Sequence, residues 1–194
     1  MDCYPIGAIV VSDGNILTRG RNRIYEKITR RDHIRGDELA HAEVEALLHL
    51  DLSSVDPHSC ILFTTTEPCP MCMGTIYMSG VRTLHFASRD PWAGSTNLLG
   101  KTWYLSKKPI KVFPPENQLL ELIIMAMFIE QIYQNHQGDL PSFAEPVFQR
   151  WMDAVPECVP FGKALYEAGT LWEARRDGIN TANMLDSVVE RAQS

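Results

Sequence analysis

The 194-residue chain has no long uninterrupted apolar run, no surplus of positive charge and too few cysteines for a disulfide framework. Its most apolar stretch, residues 119–132, is interrupted by Glu121 and Glu130 and is shorter than the roughly 20 residues a bilayer requires, which argues against a membrane partner. The opening residues, Met1-Asp2-Cys3-Tyr4-Pro5, lack the basic stretch of a secretory signal, so a soluble cytoplasmic setting is expected. Five cysteines is an odd number; with Cys69 and Cys72 set aside, Cys3, Cys60 and Cys158 read as free thiols. A net charge of −6 makes an extended nucleic-acid surface a poor default, because such surfaces neutralise phosphates with Lys and Arg. No repeat or low-complexity tract occurs. What remains is an ordinary globular composition, 45% hydrophobic and 22% charged, enough for one core and an appendage.

Residues 5–11 (PIGAIVV) form a β-branched apolar run, and the pair Asp13-Gly14 followed by residues 15–19 predicts a hairpin. A polar, charged loop follows up to Gly36. Asp37 is placed to cap a helix over residues 38–50, where Ala40, Val44, Leu47 and Leu48 share a face. Residues 60–65 (CILFTT) read as a buried strand, and Pro70 opens a helix over residues 70–79 that Gly80 closes. Strands over 82–87 and 109–113 flank a loop that enters a short helix at 90–99, and a long helix covers 116–135. Beyond the break at Gly138-Asp139-Leu140-Pro141, three helices are expected at 142–154, 160–176 and 181–192. A hairpin followed by alternating helices and strands implies an α/β sheet whose later strands are parallel and covered on both faces.

Two strings carry the chemistry: His41-Ala42-Glu43 and Glu67-Pro68-Cys69-Pro70-Met71-Cys72. H-x-E followed by P-C-x-x-C is the pattern in which one His and two Cys hold Zn²⁺ while the Glu moves protons. Three protein ligands leave a fourth tetrahedral position open for water, as in catalytic rather than structural zinc sites. The pattern implies a zinc-activated water attacking a carbon that bears an exocyclic amine, with ammonia leaving. Glu43 would take the water's proton, hand it to the adjacent ring nitrogen and help protonate the departing amine. Cys69 and Cys72 fall in the first turn of a helix, where the dipole and free N–H groups favour thiolates.

A lone C-x-x-C also suits half of a structural zinc site or a redox pair. There is no second C-x-x-C to complete a Cys₄ site, and a redox pair leaves His41 and Glu43 unexplained. The other histidines, His33, His49, His58, His85 and His136, have no ligand-like neighbours in sequence, and Glu45 turns away from Glu43 on the helix. The basic run Arg19, Arg21, Arg23, Lys27, Arg30, Arg31 and Arg35 reads as a solvated loop, with contact to RNA phosphates as the alternative.

With both strings in order, the chain resembles the cytidine/deoxycytidylate deaminase superfamily, in the branch of bacterial tRNA adenosine deaminases and guanine deaminases. The resemblance runs from about Tyr4 to Phe113. It includes Pro5-Ile6-Gly7-Ala8-Ile9-Val10 as the first strand, Gly20-Arg21-Asn22 at the end of the second, and Arg89-Asp90 with Ala93-Gly94-Ser95 after the fourth. It implies a three-layer α/β/α fold on a five-stranded mixed sheet, a Zn²⁺ cofactor held by His41, Cys69 and Cys72, catalysis by Glu43, and a homodimer. It also implies that Asn22 hydrogen-bonds the substrate's base or sugar, with a plain turn role open, and that Gly7 and Ala8 line the base pocket. Pro68 is a further expected substrate contact, and so is Trp92 as a stacking ring, with core packing as its alternative. Asn97, Phe143 and Phe148 are further candidates to line the ring site, with core packing as the alternative for each aromatic. Family members usually carry a helix before the first strand, whereas this sequence starts almost at that strand, and its tail is longer than in the tRNA-editing enzymes. The expected organisation is a deaminase domain at 1–137 and a helical extension at 138–194 packed on the core. The expected function is hydrolytic deamination of a small-molecule nucleobase, nucleoside or nucleotide. The alternatives are adenosine-to-inosine deamination in tRNA and a non-catalytic zinc-stabilised scaffold.

Overall fold

The computed structural model describes residues 2–27, 34–179 and 181–193; Arg30, Arg31 and His33 lie outside the described residues. It divides into two compact units, Cys3–Glu116 and Asn117–Ser194, the second including Met1–Asp2.

The first unit is built on five strands, β1 (Gly7–Ser12), β2 (Asn15–Arg21), β3 (Ile61–Thr64), β4 (Thr83–Phe86) and β5 (Lys111–Phe113). Their order is β2-β1-β3-β4-β5, with β1 antiparallel to both neighbours and β3, β4 and β5 parallel. This is the mixed α/β sheet expected. The β1–β2 turn works because Asp13 and Gly14 both take positive φ, 50° and 76°, the backbone a two-residue hairpin turn requires. One sheet face packs Ala8, Val10, Leu62, Leu84 and Phe86 against α1 (Ala42–Leu48) and α2 (Pro70–Ser79), burying Ala42, Ala46, Met73 and Ile76. Gly20 lets α1 lie directly on β2, since a Cβ there would sit 2.0 Å from the Ala42 carbonyl oxygen. On the opposite face Phe63, His85 and Phe113 stack across three strands, with ring centroids 4.8 and 4.2 Å apart.

Helix α2 occupies the expected residues, with Pro70 in its first turn and Gly80 closing it at φ 95°. Helix α1 does not begin at residue 38. The Ala40 carbonyl accepts the Arg23 N–H at 2.9 Å, and Asp37 caps only a local turn through the Leu39 N–H at 2.8 Å. A carbonyl committed to the β2 side cannot serve a helix, so the chain stays extended until His41, the N-cap of α1 at φ −87° and ψ 152°.

The second unit contains α3 (Gln118–Asn135), α4 (Ala144–Ala154), α5 (Cys158–Glu167), α6 (Thr170–Arg176) and α7 (Thr181–Gln193). Its boundary falls before α3, not after residue 137, because Ile123, Ala126 and Met127 form one buried cluster with Leu165, Leu171 and Val188 of the later helices. Gly162 brings α5 onto α3, since a Cβ there would lie 2.7 Å from the Ala126 carbonyl oxygen. The single helix expected at 160–176 is two, broken at Gly169 with φ 65°. Phe148 is buried beside Tyr133 as a core residue, while Phe143 and Asn97 are exposed. Among the described residues no helix is long and apolar enough to cross a membrane.

Candidate active site

The starts of α1 and α2 converge. His41 is the N-cap of α1 and Cys69 the N-cap of α2, with Cys72 one turn on. The His41 Nδ1 lies 3.6 Å from the Cys69 Sγ and 3.4 Å from the Cys72 Sγ, and the ligand atoms of all three residues lie within 4.8 Å of one another. Zn–S bonds of about 2.3 Å and Zn–N bonds of about 2.0–2.1 Å at a tetrahedral angle separate sulfur from nitrogen by about 3.6 Å. The donor types and their spacing therefore fit Zn²⁺.

Glu43, two residues into the same approach, is 3% exposed. Its Oε2 is 3.4 Å from the Cys72 Sγ, and its Oε1 is 3.3 Å from the Thr64 hydroxyl. That hydroxyl also lies 3.3 Å from the Gly7 carbonyl, so β3 and β1 both fix the carboxylate's angle. Burial pushes the Glu43 carboxyl above its ordinary range. The two thiols split in the opposite sense. The hydrogen bond from Cys72, with His41 beside it, draws Cys69 down to about 4, while Cys69, burial and Glu43 push Cys72 up. The His41 imidazole is raised, chiefly by its hydrogen bond with Cys69. A pair of sulfurs sharing one proton beside an imidazole is a site into which a divalent cation can substitute for that proton.

A sequence model of the MafB19-like deaminase family matches residues 1–132. The chain belongs to that family. It is 36% identical over 86 residues to a guanine deaminase of Bacillus subtilis, covering 43% of this chain and 50% of the relative. It is 35% identical over 101 residues to a tRNA-specific adenosine deaminase of Agrobacterium fabrum, covering 48% and 58%. A solved guanine deaminase from Nitrosomonas europaea matches with a TM-score of 0.50 at 28% identity, covering 66% of this chain and 73% of that one. The chain thus spans about half the length of the curated relatives it matches. Family and fold are those of the cytidine deaminase-like superfamily expected from the two strings.

In this member of the family the other expected site residues are spread more widely. Asn22 is buried just after β2, with its N–H on the Ile6 carbonyl at 2.9 Å and its side-chain oxygen 3.3 Å from the Ile24 N–H. Pro68 is buried beside Cys69, and its carbonyl accepts the Ser95 N–H at 3.0 Å. Gly7 and Ala8 lie in β1, where they also border an apolar cavity of about 670 Å³ on the sheet; His41, Glu43, Cys69 and Cys72 do not line it. Trp92 is 55% exposed. Glu45 is structural as expected, accepting the Arg21 N–H at 2.8 Å and Arg23 Nε at 2.6 Å. Sequence reasoning missed Thr64, whose only local signal is a threonine ending a buried strand. It also gave no role to Glu67, whose contacts lie 23 and 29 residues away.

Proposed function

We propose that the chain is a zinc-dependent hydrolase that deaminates a nucleobase, free or as its nucleoside or nucleotide, replacing an exocyclic amine with oxygen from water and releasing ammonia. The observation that carries this reading is a buried carboxylate, Glu43, set 3.4 Å from a sulfur of a His/Cys/Cys donor group. His41, Cys69 and Cys72 would hold Zn²⁺, which when bound lowers the pKa of water to about 7. Glu43 accepts the water's proton through Oε2, the oxygen on the Cys72 side, while the Thr64 hydroxyl steadies Oε1. The same burial that lifts its carboxyl lets it hold that proton and release it to the ring nitrogen; the second proton of the water then passes through Glu43 to the leaving amine. Asn22, Gly7, Ala8, Pro68 and Trp92 are the proposed contacts to the ring.

A small substrate is favoured by the net charge of −6 and because three arginines of the basic run are engaged in ion pairs within the chain. Glu26 pairs with Arg21, Arg23 and Arg35, and Glu45 pairs with Arg23. Similarity to a tRNA-specific adenosine deaminase supports the second reading, RNA as substrate. The homodimer implied by the resemblance and the expected cytoplasmic setting belong to the proposal, and sedimentation of the purified chain measures the first. The deciding experiment presents guanine, adenine, cytosine, their nucleosides and nucleotides, and a tRNA to the zinc-loaded chain and measures ammonia. Release from a small molecule is expected. Release from tRNA alone replaces the substrate class, and release from none, with zinc bound, refutes the deaminase reading.

A further inference from the structure

Glu67, to which sequence reasoning gave no role, ties the chain just before Cys69 to the loop that carries Trp92. Its N–H donates to the Ser88 carbonyl at 2.8 Å. Its Oε1 accepts the Thr96 N–H at 3.2 Å and the Thr96 hydroxyl, and its Oε2 accepts the Asp90 N–H at 3.4 Å. Three donors thus converge on two oxygens. A carboxylate meets all three, whereas an amide would turn its NH₂ toward at least one of them. Gly94 is fitted to the same arrangement, because a Cβ there would stand 2.4 Å from Glu67 Oε2 and 2.5 Å from the Asp90 carbonyl oxygen.

The loop is also closed on itself. Asp90 Oδ1 accepts the Trp92 and Ala93 N–H groups, each at 3.0 Å, and the Asp90 carbonyl accepts the Gly94 N–H at 2.8 Å. The Ser95 N–H then returns to the Pro68 carbonyl at 3.0 Å, next to Cys69. Ser88 and Ser95 are 1% and 6% exposed, but Trp92 between them is 55% exposed. A backbone held this way presents Trp92 from a fixed base beside the start of α2.

We propose that Glu67 is a positioning residue that sets residues 88–98 as a preformed wall of the substrate cleft, so that ring fit is settled before the substrate arrives. The inference rests on the deaminase reading above. A preorganised wall lowers the ordering cost of binding, and its loss weakens substrate capture more than it slows chemistry at Glu43.

The test compares the zinc-loaded full chain with Glu67→Gln, Thr96→Val and Thr96→Ser. It measures zinc content, KM and kcat for the small molecule found active, and hydrogen exchange of the amides of residues 88–98. For Glu67→Gln, zinc stays stoichiometric, KM rises about 10-fold, kcat stays within about 3-fold and the Asp90 and Thr96 amides exchange faster. Thr96→Val gives the same pattern at about 3-fold in KM, and Thr96→Ser, which keeps the hydroxyl, restores the parent values. A lower melting temperature with KM and kcat both unchanged would mean a structural brace and overturn the proposal, as would loss of zinc. Should Glu67→Gln fail to fold, Thr96→Val leaves both carboxylate oxygens in place and carries the same comparison. If the parent releases no ammonia from any small molecule or from tRNA, the deaminase reading fails on its own. Hydrogen exchange still judges the clamp in that case, and unchanged exchange at Asp90 and Thr96 overturns it.

Discussion

Each unit buries a glutamate, Glu43 at 3% and Glu130 at 0% exposure, and burial lifts the carboxyl of both above the ordinary range. Their neighbours differ. Glu43 meets a threonine hydroxyl and a cysteine sulfur at the convergence of two helix starts. Glu130 sits in the body of α3 with Oε2 3.3 Å from Arg175, and its Oε1 has no hydrogen-bond partner among the described residues. A displaced carboxyl therefore marks function only in company with donors arranged for chemistry; by itself it marks burial.

The contrast breaks most visibly at the metal. Cys72→Ala is expected to abolish stoichiometric zinc, cut turnover by about 10³-fold or more, and lower the melting point of the first unit, since metal binding and folding are coupled. Metal analysis alongside thermal unfolding checks this, and full zinc occupancy in the variant would show the ligand set to be wrong.

Two glycines sharpen the comparison, because each is a close approach and only one leads to the site. In Gly20→Ala the new Cβ meets the Ala42 oxygen at 2.0 Å and the Ala46 nitrogen at 2.6 Å, so α1 must shift and carry His41 and Glu43 with it. Turnover is expected to fall about 10²-fold. In Gly162→Ala the clash is with Ala126 and Ile129, each at 2.7 Å, and the expected result is a stability loss of about 1–3 kcal/mol with zinc content and kcat unchanged. Chemical denaturation and steady-state kinetics on the two variants separate the outcomes; a fall in kcat for Gly162→Ala would erase the distinction.

The smallest effect concerns Glu130 itself. Desolvation raises its carboxyl above the unfolded value of 4.5, against the lowering pull of Arg175. The folded chain then holds a proton that the unfolded chain has released, so stability present below pH 4.5 is lost as pH rises through the folded pKa and is flat above it. Glu130→Gln is expected to reduce that slope, Glu43 keeping its own share, and to leave zinc binding untouched. Melting curves across the acidic range measure it, and a slope unchanged in the variant would place the titration elsewhere.

What the sequence shows best is what neighbouring residues decide. Helix α2 could be bounded because Pro70 and Gly80 mark its ends by their own backbone preferences, and the first hairpin because Asp13-Gly14 accepts positive φ. The His41, Cys69 and Cys72 group was legible because its spacing is local within each string. The start of α1 was not, because a carbonyl at Ala40 is taken by an N–H at Arg23, a contact no window of a dozen residues contains. Thr64 and Glu67 escaped for the same reason, their partners lying 21 to 57 residues away. The boundary before α3 depends on which helices share a buried cluster, and apolar composition alone does not assign a helix to a neighbour.

The most direct measurement is zinc content and ammonia release in Glu43→Gln, taken on the same preparation with a substrate the parent chain turns over. Zinc is expected to remain stoichiometric while turnover falls by about 10²- to 10⁴-fold, as loss of a positioned proton carrier requires. Turnover within about 10-fold of the parent, with zinc in place, would contradict the role given to Glu43.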